Sequence, residues 1–353
     1  MLEVSIRKRL REFDLDLSFT VQPKETLVII GPSGAGKTTI LAQISGLLSP
    51  DEGHIAVGDR VLYDSSQHIN VPPERRHLGY VLQDYALFPH LTVRQNVGYG
   101  MSARRLPADT IQRGADEVMA MLGISAMADL KPSRISGGER QRVALARAIA
   151  VGGEVLLLDE PLAALDAQTR QSARGDLRRI IHSVGAAAVF VTHDYVDALA
   201  FGDTICVMDR GHVVQMGTQQ DLLLRPKARF VAEFMGVNFL EGIAEAADHT
   251  GTSLVRVADI ALRTVAQEPG EVFLAFSPAD VTLSPEPPSS SALNVLEGRV
   301  TAILQLGGRM RVDLDAGIPL VAELTPESVA RLNLGIGSKT YASFKATAIE
   351  TYR

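Results

Sequence analysis

The sequence is poor in the features that mark exported, membrane-spanning and nucleic-acid-binding proteins. Among its 353 residues the only cysteine, Cys206, cannot form an internal disulfide, and its apolar surroundings predict a buried thiol in a reducing compartment. No apolar stretch reaches the roughly 18 residues of a membrane-spanning helix, and the amino terminus lacks an apolar signal region. We therefore expect a chain that neither spans a membrane nor is exported. The net charge of -6 provides no basic field, so we expect no nucleic-acid partner.

A glycine-rich loop follows the first short apolar run. Thr26–Ile30 is β-branched and apolar, which predicts a buried parallel strand, and it leads directly into the sequence GPSGAGKT, a complete phosphate loop. A helix is predicted to begin near Lys37, and its positive end, together with glycine backbone N–H groups, would attract phosphate oxygens. Lys37 is placed to reach the β- and γ-phosphates, and the Thr38 hydroxyl to bind Mg²⁺. The predicted nucleotide-binding residues are Gly31, Pro32, Ser33, Gly34, Ala35, Gly36, Lys37, Thr38 and Thr39.

Two further apolar runs end in polar side chains. The run 155–158 ends in Asp159 and Glu160, at the carboxyl edge where open α/β sheets bind ligands. Asp159 is predicted to contact Mg²⁺ directly or through a water molecule, and Glu160 to polarise the attacking water. The run 188–192 delivers His193, which could contact the γ-phosphate, although a lone histidine is more often structural.

A second anion-binding segment lies between these motifs. Residues 135–142 read ISGGERQR, and Ser136 with two glycines precedes a predicted helix over Arg140–Ala150, so we expect open backbone amides at its amino terminus. With the phosphate loop and the acidic strand end, this segment resembles the signature of the ATP-binding cassette (ABC) ATPases, over roughly residues 1–235. The family consensus has Leu and Gln at the positions of Ile135 and Glu139.

The resemblance implies a homodimer that holds two ATP molecules at its interface. In the family, the signature of one subunit closes over the γ-phosphate held by the phosphate loop of the other, which assigns nucleotide contacts to Ser136, Gly137, Gly138 and Glu139. It also implies catalytic roles for Glu160, for Gln83 as the Q-loop glutamine and for His193 as the switch histidine. Thr38, Gln83 and Asp159 become the Mg²⁺ ligands, and residues 162–166 the D-loop. The implied cofactors are ATP and Mg²⁺.

The residue that stacks on adenine is left open by the sequence. The alternation of residues 13–19 places Phe13 and Phe19 on one strand face with two leucines, so we expect both rings to pack in the core. Arg9 or Arg11 could instead stack on the base through a cation–π contact.

The predicted fold class is an α/β P-loop NTPase of the ABC type, followed by an all-β, OB-like barrel. Residues 1–235 form the nucleotide-binding domain, with a helical subdomain over about 84–150 that includes a helix at 108–122. The apolar loop Tyr85–Leu91 is either local core or, as in importer ATPases with a similar segment, a groove for a helix of a permease subunit.

Residues 236–353 are predicted to form a C-terminal regulatory region. A first β unit and a Pro/Ser-rich linker occupy 236–290, and residues 291–353 resemble the molybdate-binding (Mop) module. In that family oxyanions are held between copies of the module, which implies contacts from Ser291, Thr325, Ser328 and Lys345. Leu293 stands where the family has arginine. Two alternatives therefore stay open: the module binds an oxyanion, or it serves only in dimerisation.

These features predict the ATP-hydrolysing subunit of an ABC importer for molybdate or tungstate. The resemblance implies two permease subunits that dock near Tyr85–Leu91, an external solute-binding protein that acts indirectly, and a peripheral position on the cytoplasmic face of the inner membrane. The alternative is the same machine for sulfate, ferric iron, a polyamine or a sugar. A cassette ATPase of DNA maintenance would need a long inserted coiled coil and basic surface, which the sequence lacks. An oxyanion-storage protein would not need the complete set of hydrolytic motifs.

Overall fold

The structure, a computed structural model, describes residues 1–247 and 251–353. The chain divides into two compact units, Met1–Gln219 and Gln220–Arg353. Among the described residues, no helix combines the length and the apolar character needed to cross a membrane.

The first unit alternates strands with helices. Its strands are β1 (Leu2–Arg9), β2 (Asp14–Val21), β3 (Thr26–Ile30), β4 (Glu52–Val57), β5 (Arg60–Asp64), β6 (Ile69–Asn70), β7 (Gly79–Val81), β8 (Val155–Asp159), β9 (Ala187–Thr192), β10 (Thr204–Asp209) and β11 (His212–Gly217). Its helices are α1 (Lys37–Ser45), α2 (Pro73–Arg76), α3 (Val93–Ala103), α4 (Ala108–Met121), α5 (Gly137–Ala150), α6 (Ala167–Val184) and α7 (Tyr195–Phe201), and α8 (Gln219–Leu224) begins where the unit ends.

The described strands of this unit form one sheet in the order β6-β5-β4-β1-β2-β11-β10-β3-β9-β8-β7. Its part from β10 to β7 is parallel throughout. Strands β3, β8 and β9 are buried at every residue, as continuous apolar runs predict for strands covered on both faces. Cys206 on β10 is also buried, as expected, and burial raises the pKa of its thiol to about 12.

Parallel pairing brings four predicted motifs to one edge of the sheet. The phosphate loop leaves the carboxyl end of β3, His193 follows β9, Asp159 ends β8, and Gln83 follows β7 soon afterwards. Since these four strands are neighbours in the order β3-β9-β8-β7, their carboxyl ends lie side by side. The sheet order therefore assembles a site from segments that are far apart in the sequence.

Helices α3, α4 and α5 occupy the region predicted as a helical subdomain. The helix predicted over 108–122 is confirmed as α4. Helix α5 begins at Gly137, earlier than the predicted Arg140, because Ser136 caps its amino terminus through its side chain.

The second unit is mostly β structure, which confirms the predicted all-β region. Besides most of α8, its described residues form the short helices α9 (Arg229–Met235) and α10 (Pro326–Arg331). Its strands are β12 (Asn238–Ala244), β13 (Thr252–Val257), β14 (Ile260–Val265), β15 (Gly270–Phe276), β16 (Thr282–Ser284), β17 (Asn294–Leu306), β18 (Arg309–Asp315), β19 (Pro319–Leu324), β20 (Lys339–Phe344) and β21 (Glu350–Tyr352).

The sequence predicts two separate β segments in this unit. In the structure, each segment contributes one strand to the sheet of the other. One five-stranded sheet has the order β14-β13-β12-β15-β21, so the last strand returns to the first segment. The other has the order β16-β20-β17-β18-β19, in which β16 comes from before the Pro/Ser-rich linker. The buried side chains of both sheets belong to one core, which includes Leu274 and Phe344. Residues 236–290 and 291–353 are therefore held together by pairing and packing across the predicted boundary.

Candidate nucleotide site

The phosphate loop follows β3 and requires glycine at its first residue, Gly31. A Cβ at Gly31 would lie 2.2 Å from the carbonyl oxygen of Met208, so the chain passes there too closely for any side chain. Gly36 is the N-cap of α1 with φ 98°, and it offers no side-chain acceptor to the first amides of the helix. No acidic residue lies in the first turn of α1. This end of α1 therefore presents backbone N–H groups suited to an anion.

Lys37 lies at the start of α1 with its ammonium directed back at the loop. Its Nζ donates to the carbonyl oxygens of Gly31 (2.8 Å) and Pro32 (2.9 Å), and the residue is buried. An ammonium has three donors, so one remains for a phosphate oxygen. Burial lowers the pKa of Lys37, and the charges of Glu160 and Asp159 oppose that shift. The carboxylates thus help to keep the lysine cationic.

Thr38 and Asp159 meet where α1 faces the end of β8. The Thr38 hydroxyl donates to Asp159 Oδ1 at 3.1 Å, and Asp159 is buried. Burial raises the pKa of Asp159, the hydrogen bond from Thr38 opposes this, and Glu160 adds to it. Oxygen donors of this kind, used with substrate phosphates, are the ligands that Mg²⁺ takes in nucleotide sites. The residues present therefore fit the predicted Mg²⁺.

Glu160 and His193 form a close pair beside the phosphate loop. Nδ1 of His193 lies 2.9 Å from Oε1 of Glu160, whose side chain is 17% exposed. Glu160 has φ 44°, in the left-handed region, and its N–H donates to the carbonyl oxygen of Val191 on the neighbouring strand. A non-glycine residue held there costs on the order of 1–3 kcal/mol, a strain that concentrates at functional sites. The backbone turn directs the carboxylate away from the strand and into the cleft.

A cleft of about 630 Å³ joins these groups. It is lined by Leu10, Arg11, Glu12, Phe13, Ser33, Gly34, Gly36, Lys37, Thr38, Thr39, Gln83, Glu160 and His193. The structure therefore brings Gln83, Glu160 and His193 together with the phosphate loop, although their roles remain predictions.

The structure corrects the expectation for Phe13. Phe19 is buried in the core as predicted, but β2 begins at Asp14, so Phe13 lies before the strand and is half-buried. Its ring is close enough to Gly36 that a Cβ there would lie 3.5 Å from it, and both residues line the cleft. The alternation of apolar and polar residues therefore begins one residue before the strand does. Arg11 lines the same wall, whereas Arg9 ends β1 outside the residues that line the cleft.

We expect Phe13→Ala to weaken ATP binding, because the ring lies at the edge of the cleft beside the phosphate loop. Stacking of a base on an aromatic side chain contributes about 1–3 kcal/mol, which corresponds to an affinity loss of about 5- to 150-fold. Fluorescence titration with a labelled ATP would measure it.

Inorganic triphosphate is the matched control for this variant, since it has phosphates but no base. Its affinity should be the same for the parent and for Phe13→Ala. Equal losses for ATP and triphosphate would show that the ring supports the loop instead of the adenine.

The signature segment is hydrogen-bonded to itself through the side chains of Ser136 and Glu139. Glu139 Oε2 accepts from the backbone N–H of Ser136 (2.7 Å) and from its hydroxyl (2.8 Å), and the hydroxyl accepts from the Glu139 N–H at 3.4 Å. These bonds hold the Glu139 carboxylate ionised and lower its pKa, the backbone bond most. The expected open amides are thus partly satisfied within the chain. Among the described residues, those that line the cleft do not include 136–139.

The loop Tyr85–Leu91 combines buried and exposed apolar groups. Tyr85 is buried, and its hydroxyl donates to the carbonyl oxygen of Pro161. Phe88 packs against Tyr99 with ring centroids 4.3 Å apart, and the guanidinium of Arg147 lies 5.4 Å from the Phe88 centroid. Arg147 also donates to the carbonyl oxygens of Tyr85 and Ala86. Tyr85 is therefore core, while the Phe88 face, with Tyr99 45% exposed, is a surface feature.

The four residues predicted to bind an oxyanion fall into two groups. Ser291 and Lys345 line one cavity of about 410 Å³, together with Thr282, Ser343 and the carboxylate-bearing Asp280. Thr325 and Ser328 lie at the amino terminus of α10, where the Thr325 hydroxyl donates to Ser328 Oγ (3.0 Å) and accepts from its N–H (3.1 Å). Within one chain the structure does not bring the two groups together in that cavity.

Comparison with known proteins identifies the family. The ABC transporter family profile matches residues 15–163, and the TOBE domain profile matches residues 290–350. The molybdate/tungstate import ATP-binding protein WtpC of Pyrococcus horikoshii is 40% identical over 100% of both chains. The chain belongs to the ABC transporter family. The molybdenum import ATP-binding protein ModC of Mycobacterium tuberculosis is 35% identical to this ABC ATPase, over 99% of this chain and 97% of its own length.

Two further similarities concern other parts of this ABC ATPase. The Fe(3+) ions import ATP-binding protein FbpC of Brucella abortus is 39% identical over 77% of this chain and 76% of its own length. The cassette MJ0796, in a dimeric post-hydrolysis state bound to ADP and Pi, aligns with a TM-score of 0.52 and 28% identity over 62% of this chain and 98% of its own. These similarities confirm the predicted P-loop NTPase fold and the ATPase activity.

Proposed function

We propose that this ABC ATPase drives an importer for molybdate or tungstate. The observation that carries the proposal is the 40% identity to WtpC along the whole chain, the C-terminal β region included. The match to FbpC is similar in identity but covers only 77% of this chain, which makes ferric iron the second candidate. The cleft would bind ATP in either importer, so it does not distinguish the two solutes. The choice between them depends on the C-terminal β region and on the permease and binding protein.

The cleft supports ATP hydrolysis through positioning and charge. The end of α1 and Lys37 hold the β- and γ-phosphates. Thr38, Asp159 and Gln83 would hold Mg²⁺, which would supply positive charge to the phosphate oxygens. Glu160 orients and polarises the attacking water and accepts its proton as the water oxygen bonds to the γ-phosphorus. The bond between that phosphorus and the β,γ-bridging oxygen breaks, which releases ADP and phosphate. His193, 2.9 Å from Glu160, keeps the carboxylate in place and contacts the γ-phosphate.

The working unit is a homodimer with two ATP molecules at the interface. The separation of residues 136–139 from the cleft in one chain supports this proposal, as does the dimeric state of MJ0796. Two permease subunits dock at the Phe88 face of the loop Tyr85–Leu91, an external binding protein delivers the solute, and the ATPase works on the cytoplasmic face of the inner membrane.

Reconstitution in vesicles tests the solute. The ATPase is assembled with a candidate permease and its binding protein, and uptake of molybdate, tungstate, sulfate and ferric iron is compared. We expect ATP-dependent uptake of molybdate or tungstate only. Uptake of ferric iron with no uptake of molybdate would favour the second candidate.

We expect the full-length protein to bind molybdate through Lys345. A buried dianion needs several converging donors, so replacement of the family arginine by Leu293 should make binding weak. Calorimetric titration with molybdate should give heat that Lys345→Ala removes.

Lys37→Ala is the control, because the phosphate loop could itself accept an oxyanion. Heat that persists in Lys37→Ala but not in Lys345→Ala locates binding in the C-terminal region. No heat at concentrations on the order of millimolar would leave dimerisation as the role of that region. Sulfate bound as tightly as molybdate would favour a sulfate importer.

A further inference from the structure

A cluster of four charged residues links the D-loop to Asp194, the residue that follows His193. Arg170 and Arg174 lie on α6, and Asp194 and Asp197 belong to the start of α7. Arg174 donates from Nη2 to Asp194 (3.1 Å) and from Nε to Asp197 (2.5 Å). The Asp197 side chain is 5% exposed and that of Arg174 is 19% exposed, so this pair is largely removed from water. Burial raises the pKa of Asp197, and the hydrogen bond from Arg174 opposes that shift.

Arg170 makes contacts in two directions. Its Nη2 donates to the carbonyl oxygens of Leu165 (3.0 Å) and Ala163 (3.5 Å) in the D-loop, while its Nη1 lies 3.6 Å from Asp194 Oδ2. The planar guanidinium places its donors on separate nitrogens and reaches both partners at once, whereas the three donors of a lysine ammonium all share one nitrogen.

Asp194 connects Arg170 to the pair formed by His193 and Glu160. Its Oδ1 caps α7 by accepting from the N–H groups of Val196 and Asp197, and its own N–H donates to Thr192 Oγ1 at 3.0 Å. The backbone of His193 is thereby fixed between Thr192 and Asp194. The His193 ring in turn lies 2.9 Å from Glu160.

The D-loop end of the cluster also lies close to the signature. A Cβ added at Gly137 would lie 3.9 Å from Leu165, and one added at Gly138 would lie 3.7 Å from Thr169. A displacement of the signature would therefore change the space beside Leu165, whose carbonyl oxygen accepts from Arg170. In the dimer proposed above, this signature contacts the nucleotide of the partner subunit.

We propose that Arg170 is a positioning residue that couples the D-loop, and through it the signature, to His193 and Glu160. The inference rests on the proposed dimer. It gives each subunit a route by which ATP bound on its signature sets the geometry of its own catalytic pair.

Arg170→Lys tests the coupling in the full-length protein, because it keeps the charge but not the two-way contact. We expect kcat for ATP to fall about 10- to 100-fold, the effect of misplacing a reacting group by about 1 Å. The KM for ATP should stay within about twofold, since no ground-state contact to nucleotide is removed. Arg179→Ala on the same helix, an exposed residue that pairs with Asp176, should leave kcat within about twofold.

Asp194→Asn provides an independent test, since asparagine still caps a helix but carries no charge. We expect it to lower kcat as well. In the double variant with Arg170→Lys the effects should not multiply, because both substitutions interrupt one link. Asp194→Asn also decides the question if Arg170→Lys fails to fold, as judged by its thermal unfolding.

Unchanged kcat in the single variants, a rise in KM alone, or multiplying effects would each overturn the coupling. These outcomes differ from failure of the proposed dimer, which would show as a parent protein that stays monomeric with ATP.

Discussion

Glu160→Gln is expected to abolish ATP turnover while leaving ATP binding intact. The amide keeps the shape of the side chain but removes the group that orients and polarises the attacking water, and loss of a positioned proton acceptor lowers the rate by about 10²–10⁴-fold. Because bound ATP is no longer consumed, the variant should also accumulate as an ATP-bound dimer. Steady-state ATPase assays and gel filtration with ATP measure the two effects.

Glu154→Gln is the matched control, since it makes the same chemical change at an exposed residue just before β8. It should leave the ATPase rate within a factor of about 3. A Glu160→Gln variant that hydrolyses ATP within a factor of about 3 of the parent would show that Glu160 is not the general base.

Ser136→Arg is expected to inactivate the ATPase without weakening ATP binding to the isolated subunit. The serine lies outside the cleft of its own chain, and in the proposed dimer it serves the nucleotide of the partner. Loss of one donor to a transferring group costs about 10²–10³-fold in kcat, and the arginine also obstructs closure. Loss of the N-cap costs about 0.5–2 kcal/mol of stability, so thermal unfolding should be measured alongside.

Mixing Ser136→Arg with Lys37→Ala separates this explanation from simple misfolding. A heterodimer of the two variants contains one intact composite site, formed by the phosphate loop of the first and the signature of the second. Activity should therefore return in proportion to the heterodimer present. Heterodimers without activity would contradict the shared site.

Local patterns predicted the parts of the site that depend on a few neighbouring residues. The run Thr26–Ile30 and the glycines after it specify a buried strand and a phosphate-binding turn, because burial, backbone freedom and helix polarity act over a short stretch of chain. The same holds for α4 and for the strand that ends at Asp159. The pattern failed at Phe13, where an alternating sequence continues beyond the point at which strand pairing begins.

By itself the sequence determined the family, the chemistry of the phosphate loop and the identity of the charged groups at strand ends. Only the tertiary structure decided which of these groups meet. The order β3-β9-β8-β7 places Lys37, Glu160 and His193 around one cleft, and strand exchange joins the two β segments of the second unit. The hydrogen bonds between Ser136 and Glu139 and the contacts of Arg170 likewise became visible only in the tertiary structure. The physical reason is that sequence periodicity reports burial and local hydrogen bonding, whereas strand order and ion pairing depend on contacts between residues distant in the chain.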